Sequence, residues 1–116
     1  MNTIKVENIL EEVAEKRDCI IELLKSRKAQ DLQVFDVRDK PILTTYVILA
    51  TGTSSRHISS IANFICQELK HNWNCYTTKE GFRVSNWVSI DAKDIVIHLF
   101  SEESRDYYKL EELYKA

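Results

Sequence analysis

Residues 87–100, WVSIDAKDIVIHLF, constrain this chain more than any other segment. Two alternating runs rich in β-branched and aromatic residues flank a short polar break, the pattern of an antiparallel hairpin. If Asp91 faces Asp94 across a tight turn at Ala92 and Lys93, then Ser89 falls opposite Val96 and Trp87 opposite His98. Successive side chains alternate between faces. One face then carries Val88, Ile90, Ile95, Ile97 and Leu99, wholly apolar and destined for a core. The other carries Trp87, Ser89, Asp91, Asp94, Val96, His98 and Phe100. A solvated face is normally Lys, Glu, Thr and Ser; aromatic side chains inside a border of carboxylates compose an interaction surface. The same residues suit a second core layer beneath a helix, and partial cover with Trp87 at the edge satisfies both readings. A one-residue slip would exchange the two faces.

The other elements follow from periodicity. Residues 6–25 place Ile9, Leu10, Val13, Ile20, Ile21 and Leu24 mostly at helical spacing, interrupted at Lys16, Arg17 and Asp18, which allows one long helix or two short ones. Residues 32–37 read as a strand, Asp39, Lys40 and Pro41 as a turn, and residues 43–51 as a strand apolar on both sides, suited to a central position. Gly52 closes that strand, and Thr53, Ser54 and Ser55 offer helix caps before Ile58, Ile61, Ala62, Ile65 and Leu69. Residues 73–78 read as a weaker strand and residues 82–86 as a loop or edge. Ser101 is expected to cap a last amphipathic helix running through Tyr107, Leu110, Leu113 and Tyr114. The order predicts an α/β domain: helices flanking a mixed sheet of about five strands. Residues 1–116 read as one domain, with a helical segment over 1–27 and a core over 28–116.

Composition narrows the function classes. With 44% apolar and 29% charged residues the chain is ordinary globular protein. A net charge of -2 argues against a basic nucleic-acid coat, so little direct RNA contact is expected. No apolar run approaches the roughly 18 residues of a membrane helix. The acidic N-terminal segment resembles neither a secretory signal nor a transit peptide, and a cytoplasmic location is expected. Cys19, Cys66 and Cys75 form no C-x-x-C pair and read as free thiols, with no metal expected.

Candidate chemistry is sparse. The stretch Thr51, Gly52, Thr53, Ser54, Ser55 and Arg56 joins a strand to a helix and could hold an anion on backbone amides, but it lacks the further glycines of a dinucleotide or P-loop motif. Asp36, Asp91 and Asp94 could chelate a cation. His57, His71 and His98 lack metal-ligand spacing, and no nucleophile–base pair stands out. No catalytic residue and no cofactor is implied.

The motifs resemble those of the Iojap, or ribosomal silencing factor, family. The resemblance rests on Lys28-Ala29-Gln30-Asp31, Phe35-Asp36-Val37, Tyr46, and the block from Ala50 through Gly52 to His57. It continues through Glu80-Gly81, Trp87, Asp91, Asp94 with Ile97-His98-Leu99-Phe100, and Arg105, Tyr108, Leu110 and Glu111. It covers the chain from about Lys28 to the C-terminus. It implies a nucleotidyltransferase-like core without that activity, and binding to the large ribosomal subunit through ribosomal protein L fourteen. Subunit joining would be blocked and translation lowered when nutrients are short. Trp87, His98, Asp91, Asp94, Glu80, Gly81 and Ser89 would then meet the partner, with Arg56 and His57 holding their loop or touching it. Arg105 and Tyr108 are expected to fasten the last helix to the sheet. Thr45, Val47, Lys93 and Tyr114 depart from the family pattern; a glycine usually stands where Lys93 does, which points to a longer or reshaped turn. The exposed apolar face also allows a homodimer of the free protein. Two readings stay open beside this one: a nucleotide- and metal-binding enzyme using Asp36, Asp91 and Asp94, and an adaptor for a non-ribosomal partner.

Overall fold

The computed structural model describes residues 3–81 and 86–115. Helix α1 (Thr3–Ser26) leads into strands β1 (Gln30–Asp36) and β2 (Tyr46–Gly52), then helix α2 (Ser55–Trp73). Strands β3 (Thr78–Glu80), β4 (Trp87–Asp91) and β5 (Ile95–Ser101) follow, and helices α3 (Glu102–Tyr108) and α4 (Glu111–Tyr114) close the chain. The sheet has the order β1-β2-β5-β4-β3, with β2 and β5 parallel and the other neighbours antiparallel. This is the mixed five-stranded α/β architecture expected. Every residue of β2 is buried, as its continuous apolar run requires of a two-sided strand. Among the described residues, no helix is long and apolar enough to cross a membrane.

Helices α1 and α2 cover one face of the sheet. Their Val13, Ile20, Leu24, Ile58, Ile61, Ile65 and Leu69 pack on Ile48, Ala50, Val88, Ile90, Ile95, Ile97 and Leu99. All five hairpin residues assigned to the core are fully buried. The interruption at 16–18 does not break α1. Lys16 is only 7% exposed, and its Nζ donates to the Ala92 carbonyl at 2.7 Å. A buried ammonium needs such an acceptor. The lysine stem fills the apolar stripe while its charge grips the β4–β5 turn.

The hairpin register differs from the simplest expectation. Asp91 pairs with Val96, Ser89 with His98 and Trp87 with Phe100, a displacement of two residues. An even displacement keeps every side chain on its face. The turn centres on Lys93 and Asp94 rather than Ala92 and Lys93: the Ala92 N–H donates to Ile95 O at 2.8 Å and the Asp94 N–H to Ala92 O at 3.0 Å. Lys93 accepts the left-handed conformation, φ 72°, with its N–H held by Asp91 Oδ1 at 2.9 Å. The turn is therefore tight in spite of the missing glycine.

Three other boundaries move. Strand β2 begins at Tyr46, because Thr45 and Tyr46 donate their N–H groups to Asp94 O while Leu43 stands fully exposed in the preceding loop. Trp73 ends α2 instead of opening a strand; Asn74 takes the left-handed cap, φ 48°, and returns its N–H to Leu69 O. The last helix is two, since Lys109 at φ 48° caps α3 on Arg105 O before α4 starts. Of the loop expected over 82–86, residues 82–85 lie outside the described residues.

Lys93 should respond to substitution as a strained left-handed residue. Lys93→Gly is expected to raise unfolding stability by about 1 kcal/mol, and Lys93→Val to lower it by at least as much, in urea titrations. Equal stability of the three forms would contradict this turn geometry.

Candidate functional site

The second face of the sheet is only half covered. Cross-strand pairing lays out three rows on it: Phe35, Val47, Val96, Asp91 and Thr78; Gln33, Leu49, His98, Ser89 and Glu80; and Thr51, Phe100 and Trp87. Leu110 and Tyr114 pack with Phe35, Val37, Val47, Leu49 and Phe100 into a second small core. Tyr114 lies 5.7 Å from Phe35. Their cover stops at β5. Val96, His98, Ser89 and Trp87 are left half-buried, with Asp91, Glu80 and Gly81 exposed around them.

Trp87 is held from three sides. Its ring stacks on Phe100 at 5.0 Å and leans on Tyr108 at 4.7 Å, and its Nε1–H donates to His98 Nδ1 at 3.1 Å. An imidazole nitrogen that accepts must be unprotonated, so the His98 proton sits on Nε2. Burial pushes the His98 pKa down from 6.5 to about 4, which keeps the ring neutral at physiological pH. Gly81, at φ 91°, lets the end of β3 pass close over Trp87; an added Cβ would run into the Trp87 carbonyl. Glu80, Gly81, Trp87 and Ser89 line an open recess of about 260 Å³. The result is an aromatic wall ordered by its contacts, with an acidic rim.

Other residues singled out in the sequence lie elsewhere. Asp94 sits in the β4–β5 turn beside Asp91, at the opposite end of the hairpin from Trp87. Arg56 and His57 open α2, on the other side of the sheet. His57 is a latch: its Nδ1 accepts the Thr53 N–H at 2.9 Å, and Nε2 lies 2.8 Å from Arg27 O, tying the β2–α2 turn to the end of α1. Ser54 caps α2 by accepting the His57 N–H at 3.0 Å. The Thr53 and His57 amides are thus bonded within the turn. Gly52 is required there because a Cβ would come within 2.6 Å of Ile58 Cγ1. Asp36 does not converge with Asp91 and Asp94: it pairs with Tyr46 on the helix-covered face and is held below the usual carboxylate pKa by Arg38. Among the described residues no group of three His, Cys, Asp or Glu side chains could hold a metal ion.

Arg105 and Tyr108 divide in role. Arg105 Nη1 donates to the Asp31 carbonyl and to Thr51 Oγ1, the latter at 2.8 Å, which fastens α3 to β1 and β2. Tyr108 belongs to the aromatic wall, and Tyr107 meets it edge-on at 5.0 Å. Tyr107 was hidden in the sequence by the single-helix reading, which turned it toward the core; the break at Lys109 leaves it 78% exposed.

The His98 geometry has a pH signature. Protonation is disfavoured in the folded state, so stability is complete above about pH 6.5 and falls as the pH drops toward about 4. His98→Gln should flatten this part of the urea-unfolding profile. The Trp87 indole N–H resonance should shift with a midpoint near 4 in the unsubstituted protein. An unchanged pH slope in the variant would contradict the neutral, buried imidazole.

The chain is similar to known proteins over most of its length. The family model described as "Ribosomal silencing factor during starvation" matches residues 10–116. A ribosomal silencing factor of Haemophilus influenzae is 33% identical over 95 residues, spanning 82% of this chain and 93% of that protein. A mouse protein named "Mitochondrial assembly of ribosomal large subunit protein 1" is 31% identical over 100 residues, 84% of this chain and 44% of its own length. A crystal structure of a Chromobacterium violaceum protein superposes with a TM-score of 0.83 at 32% identity, covering 87% of this chain and 84% of that one.

Proposed function

This chain belongs to the ribosomal silencing factor family, and on that premise we propose that it docks through the Trp87 quadrant onto the large ribosomal subunit. The contact is ribosomal protein L fourteen, and the bound domain occupies space the small subunit needs, so that subunits do not join and translation falls under nutrient limitation. The observation that carries this reading is Trp87 itself: an aromatic side chain half-exposed yet ordered by Phe100, Tyr108 and His98, inside an acidic border. A pre-ordered aromatic anchor loses little side-chain freedom on binding. Glu80 and Asp91 suit a basic protein surface and give a salt-sensitive association rate. The mouse relative's name, with its large ribosomal subunit, supports the same partner. The mechanism is steric; it uses no bond-breaking step and no cofactor.

The test is sedimentation of the purified protein with separated subunits, beside Trp87→Ala. Co-migration with large subunits is expected, weakened by about 2 kcal/mol, or roughly thirtyfold, in the variant. Near-ultraviolet circular dichroism and a urea titration confirm that the variant is folded. Undiminished binding by folded Trp87→Ala would overturn the assignment of this face.

A further inference from the structure

Tyr107 has no place in the docking surface described so far, and Tyr108 enters it only as a support for Trp87. Both are large and exposed, 78% and 51% respectively, at the end of a helix whose following residues Leu110 and Tyr114 pack inward. The left-handed cap at Lys109 causes this division: it stops α3 and redirects the chain before α4, so that the two tyrosines stay outside the second core. Their rings continue the wall without a gap. Trp87 lies 4.7 Å from Tyr108, and Tyr108 lies 5.0 Å from Tyr107 in an edge-to-face contact.

We propose that Tyr107 and Tyr108 form the second half of the docking surface, an apolar ridge on α3 against which the same basic protein surface of the large subunit packs beside Trp87. The inference rests on the docking reading above and extends it from the sheet to the helix. Three observations support it. The ridge is continuous with Trp87 rather than separate from it. It is rigid, because Ser101 caps α3 and Arg105 bolts it to β1 and β2, so little order remains to be imposed on binding. Its surroundings are acidic on balance: Glu103 and Asp106 precede Tyr107 on α3 and Lys109 follows Tyr108, while Glu80 and Asp91 border the sheet half, all exposed. A second copy of this chain would set these carboxylates against their own kind, whereas a basic surface complements them. Tyrosine at such a ridge contributes contact area at low rotamer cost.

The experiment measures binding of the full chain to purified large subunits at two salt concentrations, with Tyr107→Ala, Tyr107→Phe and Trp87→Ala. Tyr107 is 78% exposed and meets the Tyr108 ring edge-on, so its removal should leave the unfolding midpoint nearly unchanged. Tyr107→Ala is expected to weaken binding about tenfold, by the same factor at low and high salt, because the ridge acts through apolar contact. Tyr107→Phe should keep nearly full affinity. Unchanged binding by Tyr107→Ala alongside loss in Trp87→Ala would overturn the ridge while leaving the docking face intact. If neither variant weakens binding, the docking face fails and the ridge with it. Analytical ultracentrifugation decides the remaining case: if Tyr107→Ala abolishes self-association but leaves subunit binding unchanged, the ridge is a homodimer contact and the proposal is wrong.

Discussion

The buried guanidinium of Arg105 sets how this sheet is covered. The residue is 9% exposed, and its charge cannot stay inside without acceptors. It finds them on two strands, at the Asp31 carbonyl and the Thr51 hydroxyl, with Glu111 at 3.6 Å from Nε on the following helix. These bonds hold α3 across the end of the β1–β2 pair where β1 begins and β2 finishes. From there Leu110 and Tyr114 reach Phe35, Val47 and Leu49, and Tyr108 reaches Trp87. Among the described residues, no helix covers the remaining quadrant around His98 and Ser89. One polar clamp thus decides both what is core and what is surface.

The opposite corner is set by a second buried cation. Lys16 donates to the Ala92 carbonyl, which also takes the Asp94 N–H and, at 3.6 Å, the Cys75 thiol. This gathers α1, the chain after α2 and the β4–β5 turn on one oxygen. The hairpin that carries Trp87 and His98 is therefore anchored at its turn end, while its other end is shaped by the close pass of Gly81. Between the two lies a neutral imidazole accepting an indole N–H. Order at the Trp87 face comes from these flanking constraints, since the face itself is open to solvent.

Much of this was legible in residues 87–100. Alternation assigned both hairpin faces correctly even though the register was off by two, because the pleat repeats every two residues. The capped start of α2 and the fully apolar β2 were equally plain, having long periodic runs. What escaped depends on contacts distant in sequence or on rare backbone states. Lys16 looked like a flaw in α1 because its acceptor lies 76 residues away. Lys93, Asn74 and Lys109 all adopt positive φ without being glycine, and each moved a boundary. Tyr107 was misread for the same reason: one left-handed residue at Lys109 turned an expected single amphipathic helix into two. The half-exposed sheet was visible only as an unresolved choice between core and interface, since cover is a property of the whole fold.

The proposed docking depends on which face meets the large ribosomal subunit. Hydrogen–deuterium exchange of the full chain, free and bound to purified large subunits, reads this directly along the backbone. Docking through the Trp87 face should slow exchange in β4, β5 and the C-terminal turn of α3, with the Thr53–His57 turn unchanged. Protection confined to that turn and the start of α2, with the Trp87 hairpin exchanging as in the free protein, would contradict it.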